Sequence, residues 1–188
     1  GMNKLTLIAV LLLVPGGADP GTVVHEWGTF TSIAGDTGEP ERWRPLSGPT
    51  DLPKFVYDPR KEGKVFLGKG DFWTTVRMET PVLYFYTDRE RDLAVKVGFP
   101  RGRITEWYPK ASVTRTGVDW GTIRLLPRST VTLPHDGKPS HYYPAREVDA
   151  AVVKVGAEHE KLLFYRGVGS FPLPLQARLH TDDEVFLQ

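Results

Sequence analysis

Residues 77–109 read RMETPVLYFYTDRERDLAVKVGFPRGRITEWYP, and this stretch decides the fold. It holds three segments rich in apolar, β-branched and aromatic residues, at 77–87, 92–99 and 102–109, which are separated by charged residues, Gly and Pro. Segments of this length and composition, bounded by turn residues, are typical of β-strands. No sustained helical spacing of apolar residues is present, so we predict three consecutive strands.

The same pattern continues on both sides of this stretch. Gly and Pro contribute 19 and 16 of the 188 residues, above an average combined usage of about 12%. Strand segments at intervals of roughly 8–12 residues favour an antiparallel sandwich or barrel. We predict a mainly β fold, an antiparallel β-sandwich of immunoglobulin-like or jelly-roll-like type with a long Pro/Gly-rich loop and little helix. The other predicted strands lie in TVVHEWGTF (22–30), KVFLG (64–68), ASVTRTGVDWGTIRLLP (111–127), REVDAAVVKVG (146–156), KLLFYRGVG (161–169), LPLQARLH (173–180) and EVFLQ (184–188).

Two connections between the predicted strands have a sequence that predicts their structure. AAVVKV (150–155) and KLLFYR (161–166) flank GAEHE (156–160), which we interpret as a five-residue hairpin loop. Residues 31–63 hold five prolines between Pro40 and Pro59, which forbid a helix and a central strand, so we predict a long irregular excursion. Its aromatic and leucine side chains are expected to pin it to the body of the protein, because their exposure would be costly. They are Trp43, Leu46, Leu52, Phe55 and Tyr57.

The first residues predict export. Lys4 precedes the apolar run LTLIAVLLLV (5–14), and small residues lead to Ala18, the expected cleavage point. Gly1 before Met2 is interpreted as a tag residue. We divide the chain into 1–18, a tag residue plus signal peptide, and 19–188, a single β-rich domain that is interpreted as truncated or as ending on a sheet edge.

The bulk composition limits the classes of partner. Lys+Arg total 24 and Asp+Glu 23, and a chain so close to neutral has no broad field for nucleic acid or anionic lipid. The mature chain has no second long apolar segment, so we predict no membrane span in it. The chain contains no Cys, so neither a disulfide nor a thiol nucleophile is available, and the stability must come from the core alone or from a metal or partners.

The tripeptide His25-Glu26-Trp27 suggests a base beside a carboxylate. Neighbours on a strand point to opposite faces, so they do not meet in one site. The metalloprotease motif HExxH is absent, because Thr29 stands where the second His belongs. The interpretation we favour makes Trp27 part of the core, His25 a partly buried hydrogen-bonding residue and Glu26 a member of a surface pair.

The segment SHYYPAREVDA (140–150) has the highest density of aromatic and ionisable side chains in the chain. Tyr, His and Arg together are able to bind sugars or anions by stacking and bidentate contacts. A structural pair of Arg146 with Asp149, under tyrosines that cover the sheet, is the other interpretation. The candidate ligand-binding residues are Trp107, Tyr108, Tyr142, Tyr143 and Arg146.

Catalytic candidates come from the same segments. Glu79 and Glu106 stand in aromatic surroundings and are candidates for a pair of glycosidase carboxylates. The candidate catalytic residues are His25, Glu79, Glu106, His141 and Arg146. The histidine spacing does not match a zinc site, and phosphate-loop, dinucleotide and nucleophile-elbow motifs are absent. We therefore expect no metal and no cofactor.

Several blocks of the chain resemble a family of uncharacterised exported bacterial proteins with an N-terminal HEWGTF motif. The resemblance implies export and a shared fold. It implies no catalytic residue, because no activity is established for the family. The blocks are VHEWGTFTS (24–32), RMETPVLYFYT (77–87), ITEWYP (104–109), SHYYPAREVDA (140–150) and EKLLFYRGVGSFPLP (160–174).

Three hypotheses of function follow. The leading one is a non-catalytic exported module, periplasmic or secreted, that binds a carbohydrate or protein partner. The second is an extracytoplasmic, glycan-directed hydrolase, which predicts that His141, Arg146 and one carboxylate converge in a concave pocket. The third is a structural N-terminal domain of a larger exported protein. A binding module instead predicts an aromatic face with scattered ionisable groups.

Overall fold

The computed structural model describes residues 9–10, 21–35, 37–47, 51–59, 73–114, 116–173, 177–181 and 184–187. Its regular structure is antiparallel strand, apart from the 3-10 turn Pro144–Arg146, so the predicted mainly β fold is confirmed. The strands are β1 (Ala9–Val10), β2 (Thr22–Trp27), β3 (Phe30–Ala34), β4 (Pro40–Glu41), β5 (Val76–Met78), β6 (Val82–Thr87), β7 (Arg91–Gly98), β8 (Gly102–Tyr108), β9 (Ser112–Thr114), β10 (Gly117–Leu126), β11 (Val152–Val155), β12 (Glu158–Glu160), β13 (Leu163–Gly169), β14 (Ala177–Thr181) and β15 (Glu184–Leu187).

Two antiparallel sheets pack together as a sandwich. In the first sheet the order is β1-β7-β10-β11-β12, with β9 also beside β10. In the second sheet the order is β2-β6-β13-β5-β3-β4, with β8 also beside β13. β14 and β15 pair with each other. The expected signal peptide lies outside the described residues except for β1, which pairs with Val97 and Lys96 of β7.

The register shows that two pairs of short strands form one long, broken ribbon. β2 pairs with β6 from Thr22 and Thr87 to Trp27 and Val82. The pairing resumes between β3 and β5 with Phe30 opposite Met78. Residues 79–81 therefore face residues 28–29 across the break, three against two. An extra residue of this kind bends a ribbon and redirects nearby side chains.

Alternation along the second sheet divides its side chains between two apolar clusters. Leu83 and Phe85 of β6 face the other sheet, whereas Val82 and Tyr84 face away from it. We call the cluster between the sheets the inner core. It contains Val76, Met78, Leu83, Phe85, Leu93, Val95, Val97, Phe99, Ile104, Val118, Trp120, Ile123, Leu125, Ala151, Val153, Val155, Leu163, Tyr165 and Phe171.

The second cluster covers the outer face of the same sheet. We call it the outer cluster, and its buried members are Val56, Val82, Tyr84, Tyr108, Tyr142, Ala150, Leu162 and Phe164. Leu52, Phe55 and Tyr57 pack against it, so the expectation that these side chains pin the Pro-rich excursion is confirmed. The backbone of Tyr57 also bonds to Trp107, which ties this loop to β8.

The predicted five-residue hairpin loop is wrong. β11 pairs with β12, and the two-residue turn between them starts at Gly156, whose φ of 57° is a left-handed conformation that favours Gly. β13 then lies in the second sheet. Glu158 and His159 form strand pairs although they are charged or polar, because β12 is a sheet edge where such residues are tolerated.

Part of the predicted irregular excursion is also strand. β3 and β4 occupy Phe30–Ala34 and Pro40–Glu41, and Pro40 lies on the edge strand, as its missing N–H requires. The predicted strand KVFLG (64–68) lies outside the described residues. No helix among the described ranges has the length and apolar character needed to cross a membrane.

Candidate functional site

A cavity of about 380 Å³ opens on the outer face of the second sheet, beside the break in the ribbon. This volume lies within the range of about 300–1,000 Å³ that is usual for small-molecule sites. Residues from the break, from β6 and β13, and from the loops over the outer cluster line it. They are Trp27, Gly28, Thr29, Asp51, Leu52, Thr80, Val82, Tyr84, His141, Tyr142, Ala145, Leu162, Phe164 and Arg166.

The floor and much of the wall are apolar. Val82, Tyr84 and Phe164 project from the sheet and are buried in the outer cluster. Leu162 is fully buried beside them. Tyr84 donates its hydroxyl to the Ala145 carbonyl at 2.8 Å, which fixes the ring and the loop above it. The pocket is therefore preformed by the packing of the fold.

Trp27 presents an open aromatic face at this pocket. Its exposed fraction is 66%, so the interpretation of Trp27 as a core residue is wrong. The reason is the phase of β2, in which Val24 packs against the inner core and the alternate positions Val23 and Trp27 are exposed. A large exposed ring next to a concave site is a stacking surface.

Arg166 is the buried cation of the pocket. It is only 5% exposed, and its Nε donates to the Glu79 carbonyl at 2.6 Å. No described residue accepts a hydrogen bond from its two terminal nitrogens, which belong to a side chain that lines the cavity. Burial lowers the pKa of Arg166, and the charge of Glu106, opposite it on β8, acts in the other direction. The terminal nitrogens are therefore available to hydrogen-bond an acceptor that enters the cavity.

Arg166 owes its position to a second irregularity. The pairing of β13 with β8 shifts between Arg166 and Gly167, which face Glu106 and Ile104. Thr105 is the extra residue, and its hydroxyl donates to the Glu106 carboxylate. The bulge thus places a buried carboxylate next to the guanidinium.

His141 and Asp51 form a pair at the pocket. The Nδ1 atom of His141 lies 2.8 Å from Oδ2 of Asp51, which also accepts from the backbone N–H of His141 at 3.2 Å. Partial burial acts to raise the pKa of Asp51, but the hydrogen bonds from His141 and the charge of Arg166 bring it below its usual value. A carboxylate on Nδ1 orients the ring so that Nε2 is left for a ligand or a proton transfer.

Removal of the His141 ring should raise the pKa of Asp51. The carboxylate form loses a side-chain hydrogen bond in His141→Ala, so protonation becomes easier at a higher pH. NMR of the Asp51 carboxyl carbon should give a midpoint below 3.8 in the wild type and a higher one in the variant. Because the folded-state pKa is depressed, the stability from this pair is present above the unfolded pKa and is lost as the pH falls through the folded pKa. An identical midpoint in both proteins would contradict the pairing.

The other catalytic candidates lie apart from the pocket lining. His25 is exposed on β2 and its ring packs on Tyr86, with 5.0 Å between centroids. The Glu79 carboxylate pairs with Arg77 at 3.0 Å, while its carbonyl holds Arg166. Glu26, expected in a surface pair, accepts a hydrogen bond from the hydroxyl of the buried Tyr165.

Arg146 lies in a structural network instead of facing a ligand. Its Nε and one terminal nitrogen donate to Glu160 at 2.8 and 2.5 Å, and its other terminal nitrogen donates to the Pro134 carbonyl at 2.8 Å. The guanidinium also lies over the rings of Tyr142 and Tyr143. The structural partner of Arg146 is therefore Glu160, and the expected pair with Asp149 is wrong because every donor group of Arg146 is directed elsewhere.

The aromatic candidates are mostly packed in the fold. Tyr108 is 3% exposed, and Trp107 stacks on Tyr57 with 6.0 Å between centroids. Tyr142 is buried and contributes to the pocket wall. Tyr143 stacks on His135, with 4.0 Å between centroids. Of the five candidate ligand-binding side chains, the structure brings Tyr142 to the pocket.

Sequence reasoning missed Asp51, Thr29, Thr80 and Arg166. Arg166 had a usable signal, because it is a lone charge inside the apolar strand KLLFYRGVG (161–169). Asp51 had none, since 90 residues separate it from His141. Within the part of the chain that the structure describes, no three His, Cys, Asp or Glu side chains are grouped to hold a metal ion.

Fold and site together define an antiparallel β-sandwich with a pocket of about 380 Å³ on the outer face of one sheet. No protein-family model, curated protein or solved structure matches the chain. The function therefore has to be argued from the pocket itself.

Proposed function

We propose that this protein is an exported carbohydrate-binding module, and that the pocket beside Trp27 holds one sugar ring. The observation that carries the proposal is the combination, in one cavity, of an exposed tryptophan face and a guanidinium whose terminal nitrogens have no acceptor among the described residues. Sugar rings have apolar C–H faces that stack on aromatic rings and hydroxyl groups that need directed polar partners. The expected leader at 1–18 supports an extracytoplasmic location.

The remaining polar groups of the pocket suit hydroxyl recognition. The Thr29 and Thr80 hydroxyls lie 3.3 Å apart at the break in the ribbon, and each is able to donate or accept. The Asp51–His141 pair contributes acceptors and a ring nitrogen at the same cavity. A ligand with several adjacent hydroxyls satisfies these groups better than an apolar molecule does.

Replacement of Trp27 with Ala should weaken glycan binding by about 10-fold or more, since the stacking face and its apolar contact are lost. Binding of the purified protein to a glycan array identifies the hits, and calorimetry on the best soluble hit gives the change. Trp27 is 66% exposed, so the folded state should tolerate the change. Trp73→Ala is the matched control, because Trp73 is 44% exposed and lies outside the pocket lining. An array without any hit, or equal loss in both variants, would overturn the proposal.

The Asp51–His141 pair supports a second candidate function, hydrolysis of a glycan ester. A carboxylate-oriented imidazole is the arrangement of a general base, and Arg166 offers donors to a developing oxyanion. The two functions separate in one measurement: mass spectrometry of an acetylated glycan after incubation with the protein. An intact ligand indicates binding alone, whereas release of acetate that His141→Ala abolishes indicates the hydrolase.

A further inference from the structure

We infer that the pocket selects a sugar that carries an acetyl group, with the methyl on the apolar floor and the carbonyl oxygen on the terminal nitrogens of Arg166. This inference rests on the proposed function and names the chemical class of its ligand. Acetamido groups and acetyl esters share this chemistry, because each joins a methyl to a neutral carbonyl acceptor. The experiment below distinguishes the two.

The floor of the cavity is made by buried side chains that are largely apolar. Val82 and Phe164 are cross-strand partners on β6 and β13, so their side chains lie next to each other on the outer face of the sheet. Leu162 is fully buried, and the Tyr84 hydroxyl is already directed to the Ala145 carbonyl. A sugar hydroxyl placed on this surface would lose water without gaining a partner, which is costly.

Hydrogen-bond donors lie next to this floor. Arg166 follows Phe164 by two residues on β13, so the two side chains project from the same face of the sheet. The guanidinium carbon of Arg166 lies 5.8 Å from the centre of the Phe164 ring. Its Nε donates to the Glu79 carbonyl, and its terminal nitrogens have no acceptor among the described residues. A donor and an apolar surface therefore meet at one point of the cavity.

An acetyl group matches this juxtaposition, because its carbonyl oxygen and its methyl are bonded to the same carbon. The oxygen accepts a charge-assisted hydrogen bond from the guanidinium, which is stronger than a bond between neutral groups. The methyl is removed from water against Phe164 and Val82. The hydroxyls of Thr29 and Thr80, which lie 3.3 Å apart, and the exposed ring of Trp27 then remain for the hydroxyls and the C–H face of the sugar.

The test adds the acetyl group to rings of known structure. Calorimetry at pH 7 measures the wild-type protein with the methyl glycosides of glucose and galactose, with their N-acetyl amino sugar forms, and with the same glycosides carrying one acetyl ester. We expect an acetylated ring to bind at least about 10-fold more tightly than its parent, since it gains both contacts. A gain confined to the amides identifies an amino sugar as the ligand, and a gain confined to the esters identifies an acetylated glycan.

Two further ligands remove one part of the acetyl group at a time. An N-formyl ring keeps the carbonyl without the methyl, and an O-ethyl ring keeps the alkyl chain without the carbonyl. Each should lose most of the gain, because each keeps one of the two contacts. These measurements use the unchanged protein, so they do not depend on whether a variant folds.

Val82→Thr changes the floor from the side of the protein. It replaces a methyl with a hydroxyl on a side chain that is 7% exposed, and it should reduce the preference for N-acetyl over N-formyl rings several-fold. Val23→Thr is the matched control, because Val23 is 52% exposed on β2 and lies outside the pocket lining.

The outcomes distinguish this inference from the proposed function. Acetylated rings that bind no more tightly than their parents would overturn the inference while the carbohydrate function stands. Formyl or ethyl rings that bind as tightly as the acetylated ones would also overturn it, as would equal effects of Val82→Thr and Val23→Thr. Failure of every ring to bind would remove the proposed function and this inference together.

Discussion

Replacing Glu160 with Ala should lower the free energy of unfolding by about 3–5 kcal/mol. Glu160 is completely buried and accepts three hydrogen bonds from side chains, two from Arg146 and one from the Tyr142 hydroxyl at 3.0 Å. Its loss leaves a guanidinium, 12% exposed, without its counter-charge and a buried hydroxyl without an acceptor. Breaking one side of a buried ion pair costs more than the pair itself contributes.

Chemical denaturation followed by circular dichroism measures this change. Glu147→Ala is the matched control, because Glu147 is exposed on the same segment and should change stability by less than about 0.5 kcal/mol. A double variant, Arg146→Met with Glu160→Leu, should recover most of the loss, since it removes both charges at once. A loss below about 1 kcal/mol for Glu160→Ala would show that Glu160 and Arg146 are not paired in the buried network.

Replacing Phe85 with Ala should cost about 3–5 kcal/mol, which is the usual effect of deleting a buried phenylalanine ring. Phe85 is fully buried in the inner core, and its backbone carbonyl also accepts from Ala151 at 2.8 Å, at the start of the segment that leads into β11. The cavity left by the ring lies between the two sheets, where neither sheet is free to collapse into it.

Phe30→Ala provides the matched control for this cavity. It removes the same atoms from a ring on β3 that is 46% exposed, so the transfer term is small and no internal cavity forms. Denaturant midpoints and slopes for both variants separate a change in stability from a change in the surface exposed on unfolding. Equal losses for Phe85 and Phe30 would contradict the assignment of Phe85 to the inner core.

The strand pattern was predictable because alternation and turn residues are local properties. The segments 92–99 and 102–109 match β7 and β8 to within one residue at each end. The single strand predicted at 77–87 is wrong in one respect, because residues 79–81 lie at the break in the ribbon and divide it between β5 and β6. The hairpin error at 156–160 arose because sheet membership is not local: β11 and β13 are close in sequence but belong to different sheets. For the same reason the sequence did not show which alternate side chains of β2 face the inner core, and Trp27 is on the exposed set.

The candidate site was predictable only in part. The segment 140–150 was singled out for its density of polar and aromatic residues, and His141 and Tyr142 from it do line the cavity. Arg146, from the same segment, proved to be held by Glu160, a residue fourteen positions away that the sequence does not connect with it. Composition identifies groups that are able to bind, but it does not show which of them the fold already uses.

The sequence alone determined the class of structure. Period-two alternation and frequent Gly and Pro predict strands with one apolar face, and these faces are buried when two sheets pack together. The lack of Cys means that no disulfide joins the sheets. Only the tertiary structure decided where a pocket forms and which charges face it. Loop packing brings Asp51 to His141, and a bulge in the ladder places Glu106 opposite Arg166. Such contacts depend on register and on distant chain segments, for which a local pattern has no signal.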